Sequence, residues 1–269
     1  MKDFKFDITN KNKEKSKKIF NDPPFKIFEN NISKLHTNYS KPNLNLSLED
    51  RLKKCGIKSG TTIIGLKYGE GIILASDTQT TAIGGDVAYA YSLESKKIYI
   101  ISKNLALAGT GLVAEINLVK DFLINFREYY EDRYEENFGV EKAAQILYLI
   151  SPYLWFSGYI LGGKTSNSKN SLIYDISGFF YKESVNYIAQ GSGALFGHAQ
   201  GILDGDFKPE LKKEQAIALV LKALKIAKQR DVFSGGDQQI ILIENSSNKI
   251  KELSKEEIKK YLKENEKSN

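Results

Sequence analysis

The stretch with the clearest chemical potential is Gly60–Thr61–Thr62, which runs into the β-branched pair Ile63–Ile64. A threonine hydroxyl is a poor nucleophile until a base takes its proton. One arrangement needs no histidine: a threonine at a chain terminus, with its own α-amine as the base. An α-amine has a reference pKa near ~7.7–8.0, so a modest depression leaves it largely unprotonated at neutral pH. A neighbouring ammonium supplies that depression, because two like charges side by side are disfavoured. Lys97, second of the pair Lys96–Lys97, is the candidate ammonium, and Asp77 is the carboxylate that would hold it. Taken singly, Asp77 reads as a strand-end turn residue, Lys97 as a solvated charge and Thr61–Thr62 as an ordinary strand start.

Residue counts remove several other chemistries. Cys55 is the single cysteine and His36 and His198 are the only histidines, so a four-ligand Cys/His zinc site cannot be built. No Gly-x-Ser-x-Gly elbow accompanies His198, which reads as structural or superficial. One cysteine also precludes an internal disulfide and fits a reducing compartment. The formal charge of +6 is unevenly placed. Residues 1–60 hold 14 Lys/Arg against 7 Asp/Glu, which leaves 25 against 26 for the rest. The basic excess therefore sits outside the main body, which argues against a nucleic-acid-binding domain. No run of about 18 apolar residues exists to span a membrane, and the start of the chain lacks the apolar core of a signal peptide.

The elements that must position these residues follow from periodicity. Residues 1–60, with isolated aromatics such as Phe20, Phe25 and Phe28, read as an extended, partly disordered leader with a short helix over Leu48–Lys54. Strands are expected at Thr61–Leu66, Gly71–Ser76, Asp86–Tyr91, Lys97–Ile101 and Leu105–Ala108. Leu112, Ile116, Val119, Leu123, Phe126 and Tyr130 then lie on one face of a long helix, with a second helix over Val140–Leu149 ended by Pro152. Strands resume at Gly158–Gly162, Ser171–Asp175, Gly178–Lys182 and Tyr187–Gln190. Helices over Ala194–Leu203 and Lys213–Lys228, a strand over Gln239–Glu244 and a terminal helix opened by the Ser254–Glu257 capping box complete the order. Grouped strands and grouped helices, without βαβ alternation, predict an α+β protein with antiparallel sheets and segregated helices.

Gly60–Thr61, Asp77, Lys96–Lys97, Ala108–Gly109, Gly191–Ser192–Gly193 and Ala227–Lys228–Gln229–Arg230–Asp231 running into Ser234–Gly235–Gly236 occur in an order that resembles a 20S proteasome β subunit of the bacterial and archaeal type. The likeness runs from about Gly60 to Glu244. It implies a four-layer αββα sandwich, the Ntn-hydrolase fold, in a threonine endopeptidase freed by autocleavage at Gly60–Thr61. Residues 1–60 would then be a prosegment removed on maturation, and 61–269 the catalytic domain. By the same resemblance the Gly109 N–H holds the oxyanion, Ser192 binds the terminal amine, and Asp231 and Ser234 orient the nucleophile. Thr80, Thr81, Leu107 and Gly111 match the family's specificity pocket. Leu107 suggests an apolar floor and cleavage after hydrophobic residues, against which stands nearby Glu115.

Two departures qualify the match. The stretch from Asp77 to Lys97 is a few residues longer than usual in the family, which keeps Lys96 as an alternative to Lys97. Gln79 stands where most such subunits carry arginine, as in the related bacterial two-component protease HslV. An HslV-like peptidase and a catalytically silent structural β-type subunit are the alternatives. The resemblance further implies other β subunits in a heptameric ring, proteasome α subunits, an ATP-dependent unfoldase regulator and unfolded protein substrates. It implies no cofactor, no metal, no nucleic acid, no membrane, and a cytoplasmic location.

Overall fold

A computed structural model of the chain describes residues 23–38, 61–84, 87–154, 157–168, 170–177, 180–184, 186–194, 197–247 and 249–267. The expected helix over Leu48–Lys54, Cys55 and the Gly60 junction lie outside these. Two five-stranded sheets form the centre, and every strand pairing is antiparallel. The first is built from β1 (Ile63–Tyr68), β2 (Gly71–Asp77), β10 (Tyr187–Gln190), β11 (Gln238–Glu244) and β12 (Lys251–Glu252), in the order β10-β1-β2-β11-β12. The second orders β5 (Ile98–Ser102), β6 (Leu105–Gly111), β7 (Ser157–Lys164), β8 (Ser171–Ser177) and β9 (Phe180–Ser184) consecutively.

The two-residue strand period divides the apolar side chains between layers. Ile63, Ile72, Leu74, Ile241 and Ile243 of the first sheet meet Ile98, Ala106, Ala108, Ile160 and Ile173 of the second in a buried apolar seam. Their alternates, Ile64, Leu66, Ile73 and Ala75, point outward onto α4 (His198–Asp206), α5 (Lys213–Arg230) and α6 (Lys255–Lys267). On the far side Leu105, Leu107, Tyr159 and Leu161 pack under α2 (Val113–Tyr134) and α3 (Val140–Ile150). The layers are therefore α, β, β, α. The Ser254–Glu257 capping box is present, with Ser254 N–H on the Glu257 carboxylate at 2.8 Å and Glu257 N–H on Ser254 Oγ at 3.2 Å.

Three expectations need correction. Residues 23–38 are not extended: they form helix α1 (Pro23–Asn38), whose Phe25, Phe28 and Ile32 are buried in the same core as α2 and α3. A short strand, β3 (Thr80–Gly84), pairs with β4 (Val87–Ser92) as a separate hairpin that accounts for the long Asp77–Lys97 spacing. The helix expected over Ala194–Leu203 occupies His198–Asp206 instead, after a turn through 192–194. Among the described residues no helix is long and apolar enough to cross a membrane.

Candidate active site

Antiparallel order alone gathers four chain segments at one end of the first sheet. Ile63, at the start of β1, is paired with Gln190, the last residue of β10, and with Ser76, next to the end of β2. Gln238, at the start of β11, is paired with Asp77. Thr61 thus enters the sheet between the β10–α4 turn carrying Ser192 and the end of β2 carrying Asp77. The α5–β11 connection, with Asp231 and Ser234, closes the same corner. Gly191 makes the close approach possible: it has φ +94, and a side chain there would strike the Thr61 carbonyl.

The hydrogen bonds at this corner form a connected set. The Thr61 N–H donates to Ser192 Oγ at 3.0 Å, and Ser192 Oγ lies 2.6 Å from Asp231 Oδ2. Ser234 Oγ is also 2.6 Å from Asp231 Oδ2 and 2.8 Å from Thr62 Oγ1. An ionised carboxylate only accepts, so both serines donate to Asp231 and Thr62 donates to Ser234. Thr61 N and Thr62 Oγ1 are therefore fixed through two hydroxyls to one acid.

A second acid holds the cation. Asp77 is fully buried, with Oδ1 2.7 Å from Lys97 Nζ and 2.8 Å from the Thr62 N–H. Its Oδ2 accepts from the N–H groups of Gln79 at 3.1 Å and Gly235 at 3.0 Å. Burial pushes the Lys97 pKa down from its ordinary value, opposed by the charge and hydrogen bond of Asp77, and the net direction is down. Lys96 also borders the cavity that Lys97 lines, but its ammonium makes an exposed ion pair with Glu252 at 3.1 Å. The structure thus separates the two lysines, and Lys97 is the one joined to Asp77.

Thr61, Lys97 and Gly109 line a single cavity of about 320 Å³ with Thr80, Thr81 and Gly111. Tyr91, Tyr99, Val113 and Ile116 add apolar walls. Leu107 is not among the lining residues. It is fully buried on the side of β6 that also carries Gly109, in the same cluster as the cavity-lining Ile116. Glu115 is fully buried and does not line the cavity either. Gly109 is on the wall, where a side chain would collide with Ile116, but its N–H is donated to the Lys97 carbonyl at 3.0 Å. His198 begins α4 and does not line the cavity.

Residues 57–243 match the profile of the proteasome subunit family. A proteasome subunit beta 2 of Pyrococcus furiosus is 33% identical over 222 residues, which cover 81% of this chain and 100% of that protein. A proteasome subunit beta 2 of Hyperthermus butylicus is 31% identical over 188 residues, 68% of this chain and 84% of the relative. A proteasome subunit beta of Nanoarchaeum equitans is 35% identical over 191 residues, 68% and 92% respectively. The chain belongs to the 20S proteasome β-subunit family. As a member it is a proteasome core subunit and assembles with other proteasome subunits.

Sequence reading missed one residue of this β-family site outright. Gln239, 6% exposed, accepts the N–H groups of Lys97 at 3.1 Å and Ile98 at 3.0 Å on its Oε1. Its Nε2 donates to the Ile98 carbonyl and to Glu252, both at 3.0 Å. One amide thereby fastens the Lys97 backbone on the second sheet to β11 on the first. The available signal was a glutamine pair, Gln238–Gln239, at the head of the apolar run Ile240–Ile243. Thr62 was likewise read only as part of a strand, although its N–H and hydroxyl tie the Asp77 and Asp231 groups together. Gln79, the departure from arginine, donates from Nε2 to Thr81 Oγ1 and to the Val232 carbonyl, each at 3.0 Å.

Proposed function

We propose that Thr61 is the nucleophile of an N-terminal-threonine endopeptidase, freed when the chain cuts itself between Gly60 and Thr61. In the cut, Thr61 Oγ adds to the Gly60 carbonyl carbon and the C–N bond breaks. The acyl group passes to oxygen as an ester and the nitrogen becomes the α-amine. Water then hydrolyses the ester, leaving Gly60 as a carboxylate. On a substrate, the amine takes the Oγ proton during attack and returns it to the leaving nitrogen. Water activated by the same amine finally hydrolyses the acyl-enzyme.

The observation that carries this reading is the convergence on Thr61. Its nitrogen already rests on Ser192, whose hydroxyl is held by Asp231, and it shares a cavity with the buried Lys97–Asp77 pair. The Lys97 charge lowers the amine pKa, and Asp77 fixes the lysine. Gly109 stabilises the oxyanion by exchanging its Lys97 carbonyl partner for the substrate oxygen, a donor contribution of roughly 3–4 kcal/mol in comparable sites. Tyr99, Val113 and Ile116 on the cavity wall favour cleavage after apolar residues. The subunit works in the cytoplasm, in a heptameric β ring between α subunits, on unfolded chains delivered by an ATP-dependent unfoldase.

The intact mass of the chain in assembled, peptide-hydrolysing particles tests the proposal. The expected N-terminal residue is Thr61; active particles whose chains all retain residues 1–60 covalently would refute it.

A further inference from the structure

Helix α1 is built into the fold more deeply than a disposable leader requires. Pro23 and Pro24 occupy its first turn, where a missing N–H costs nothing. Phe25, Phe28, Ile32 and Leu35 recur at intervals of three and four, so they form one stripe. The first three are only 2%, 2% and 1% exposed, while Ile27 on the other side is 59% exposed. The stripe closes over α2. Phe28 and Phe122 have ring centroids 4.8 Å apart, and Phe25 meets Phe122 edge-on at 6.2 Å. Phe122 continues to Phe126 at 5.6 Å, and Phe126 to Phe138 at 5.9 Å, so α1 extends an aromatic array that runs into the body. These contacts cover the outer side of α2, which would otherwise present a phenylalanine to solvent.

We infer that the fragment ahead of Thr61 stays bound to the body after the backbone is cut, held by α1 on α2 as a permanent part of the outer helical layer. The inference rests on the proposed cut at Gly60–Thr61. That cut breaks one peptide bond and none of the α1 contacts. The intervening residues 39–60 are a covalent tether, and losing it lowers the local concentration of α1 without altering the apolar seat itself. The partner of the α2 surface is accordingly a segment of the same chain.

Two arms test the inference separately from the cleavage reading. In the first, particles assembled with their partner subunits are purified under native conditions and their masses are read after denaturation. Fragments 1–60 and 61–269 are expected in equal amounts. In the second, Thr61→Ala blocks self-cleavage, and a site for a specific added protease is inserted between Asn38 and Gly60. After digestion, gel filtration in native buffer should keep the N-terminal fragment with the body. Phe28→Ala in this background should weaken retention by about a hundredfold or more, as expected for emptying a buried phenylalanine site. Loss of the N-terminal fragment from the body in either arm overturns the inference. A chain still beginning at Met1 in the first arm counts against self-cleavage alone, and the second arm still decides whether α1 holds.

Discussion

Replacing Lys97 by alanine separates the electrostatic account of the site from a purely structural one. The substitution removes a cation 2.7 Å from a carboxylate with no solvent exposure. Breaking a buried pair by deleting one partner typically costs about 3–5 kcal/mol. Asp77 nevertheless keeps three backbone N–H donors, from Thr62, Gln79 and Gly235, so the lower end of that range, about 3 kcal/mol, is expected. A domain stable by about 5–15 kcal/mol survives this loss, and particles should still assemble. Turnover should fall by about 10²–10⁴, the usual worth of a tuned base, with KM little changed. The assay is peptide hydrolysis by purified, assembled particles as a function of pH. Burial lowers the Lys97 pKa, so the ammonium is lost below the ordinary 10.5 and wild-type activity should decline on the alkaline side below that value. Lys97→Arg keeps its charge through that range and should remove the alkaline decline from whatever activity it retains. The stability sign is fixed too. Between the lowered folded value and 10.5 the unfolded chain binds more protons at this lysine, so this group makes stability rise with pH there. Full turnover in Lys97→Ala, or its abolition in Lys96→Ala, would refute the assignment.

Lys96→Ala should itself change stability by no more than about 1 kcal/mol, because its pair with Glu252 is exposed, and should leave hydrolysis near wild type. Gln239→Leu leaves the Lys97 and Ile98 N–H groups without their acceptor, at about 1–3 kcal/mol per buried donor. A lower unfolding temperature and a lower kcat at constant KM are expected, and an unchanged kcat would show that the amide serves the fold alone. Leu107→Ala should cost about 2–5 kcal/mol in thermal unfolding while leaving the order of preference among peptide substrates unchanged. Tyr99→Ala, on the cavity wall, should reorder those preferences with less effect on stability.

The layered fold was legible because burial writes a period into each strand and helix. Alternation in β1 and β2 and the three-and-four spacing in α2 each specify a buried side, and grouping of elements gave antiparallel sheets under segregated helices. Alternation does not say which side faces which layer. Leu107 and Ala108 are neighbours of opposite orientation; only the packed structure assigns Leu107 to the helices and Ala108 to the seam between sheets. Helix α1 was missed for a different reason. High charge and polarity averaged over residues 1–60 outweighed a four-residue apolar stripe whose spacing was visible in the sequence. Average composition describes a segment's tendency to stay solvated, whereas the stripe describes what it can do once a complementary surface exists.

The site was legible to the degree that its residues keep the family's order, and illegible where ordinary ones do the holding. A threonine after glycine, an acid and a lysine could be named from the chain because their order and spacing resemble the family's; taken singly, each has an ordinary structural reading. The choice between Lys96 and Lys97 could not be made from spacing, since the β3–β4 hairpin lengthens the loop by an amount the sequence does not translate into register. Local polar contacts resolve it. Thr78 accepts the Ser95 N–H on its carbonyl at 2.9 Å and donates its hydroxyl to the Leu93 carbonyl at 2.6 Å, closing the base of the hairpin. Gln239 then fastens the Lys97 and Ile98 backbone, and in an extended chain consecutive side chains point to opposite sides. Lys97 turns inward to Asp77, whereas the Lys96 ammonium pairs with Glu252. Two residues with no chemistry of their own, a threonine and a glutamine, thus decide which lysine pairs with the buried Asp77.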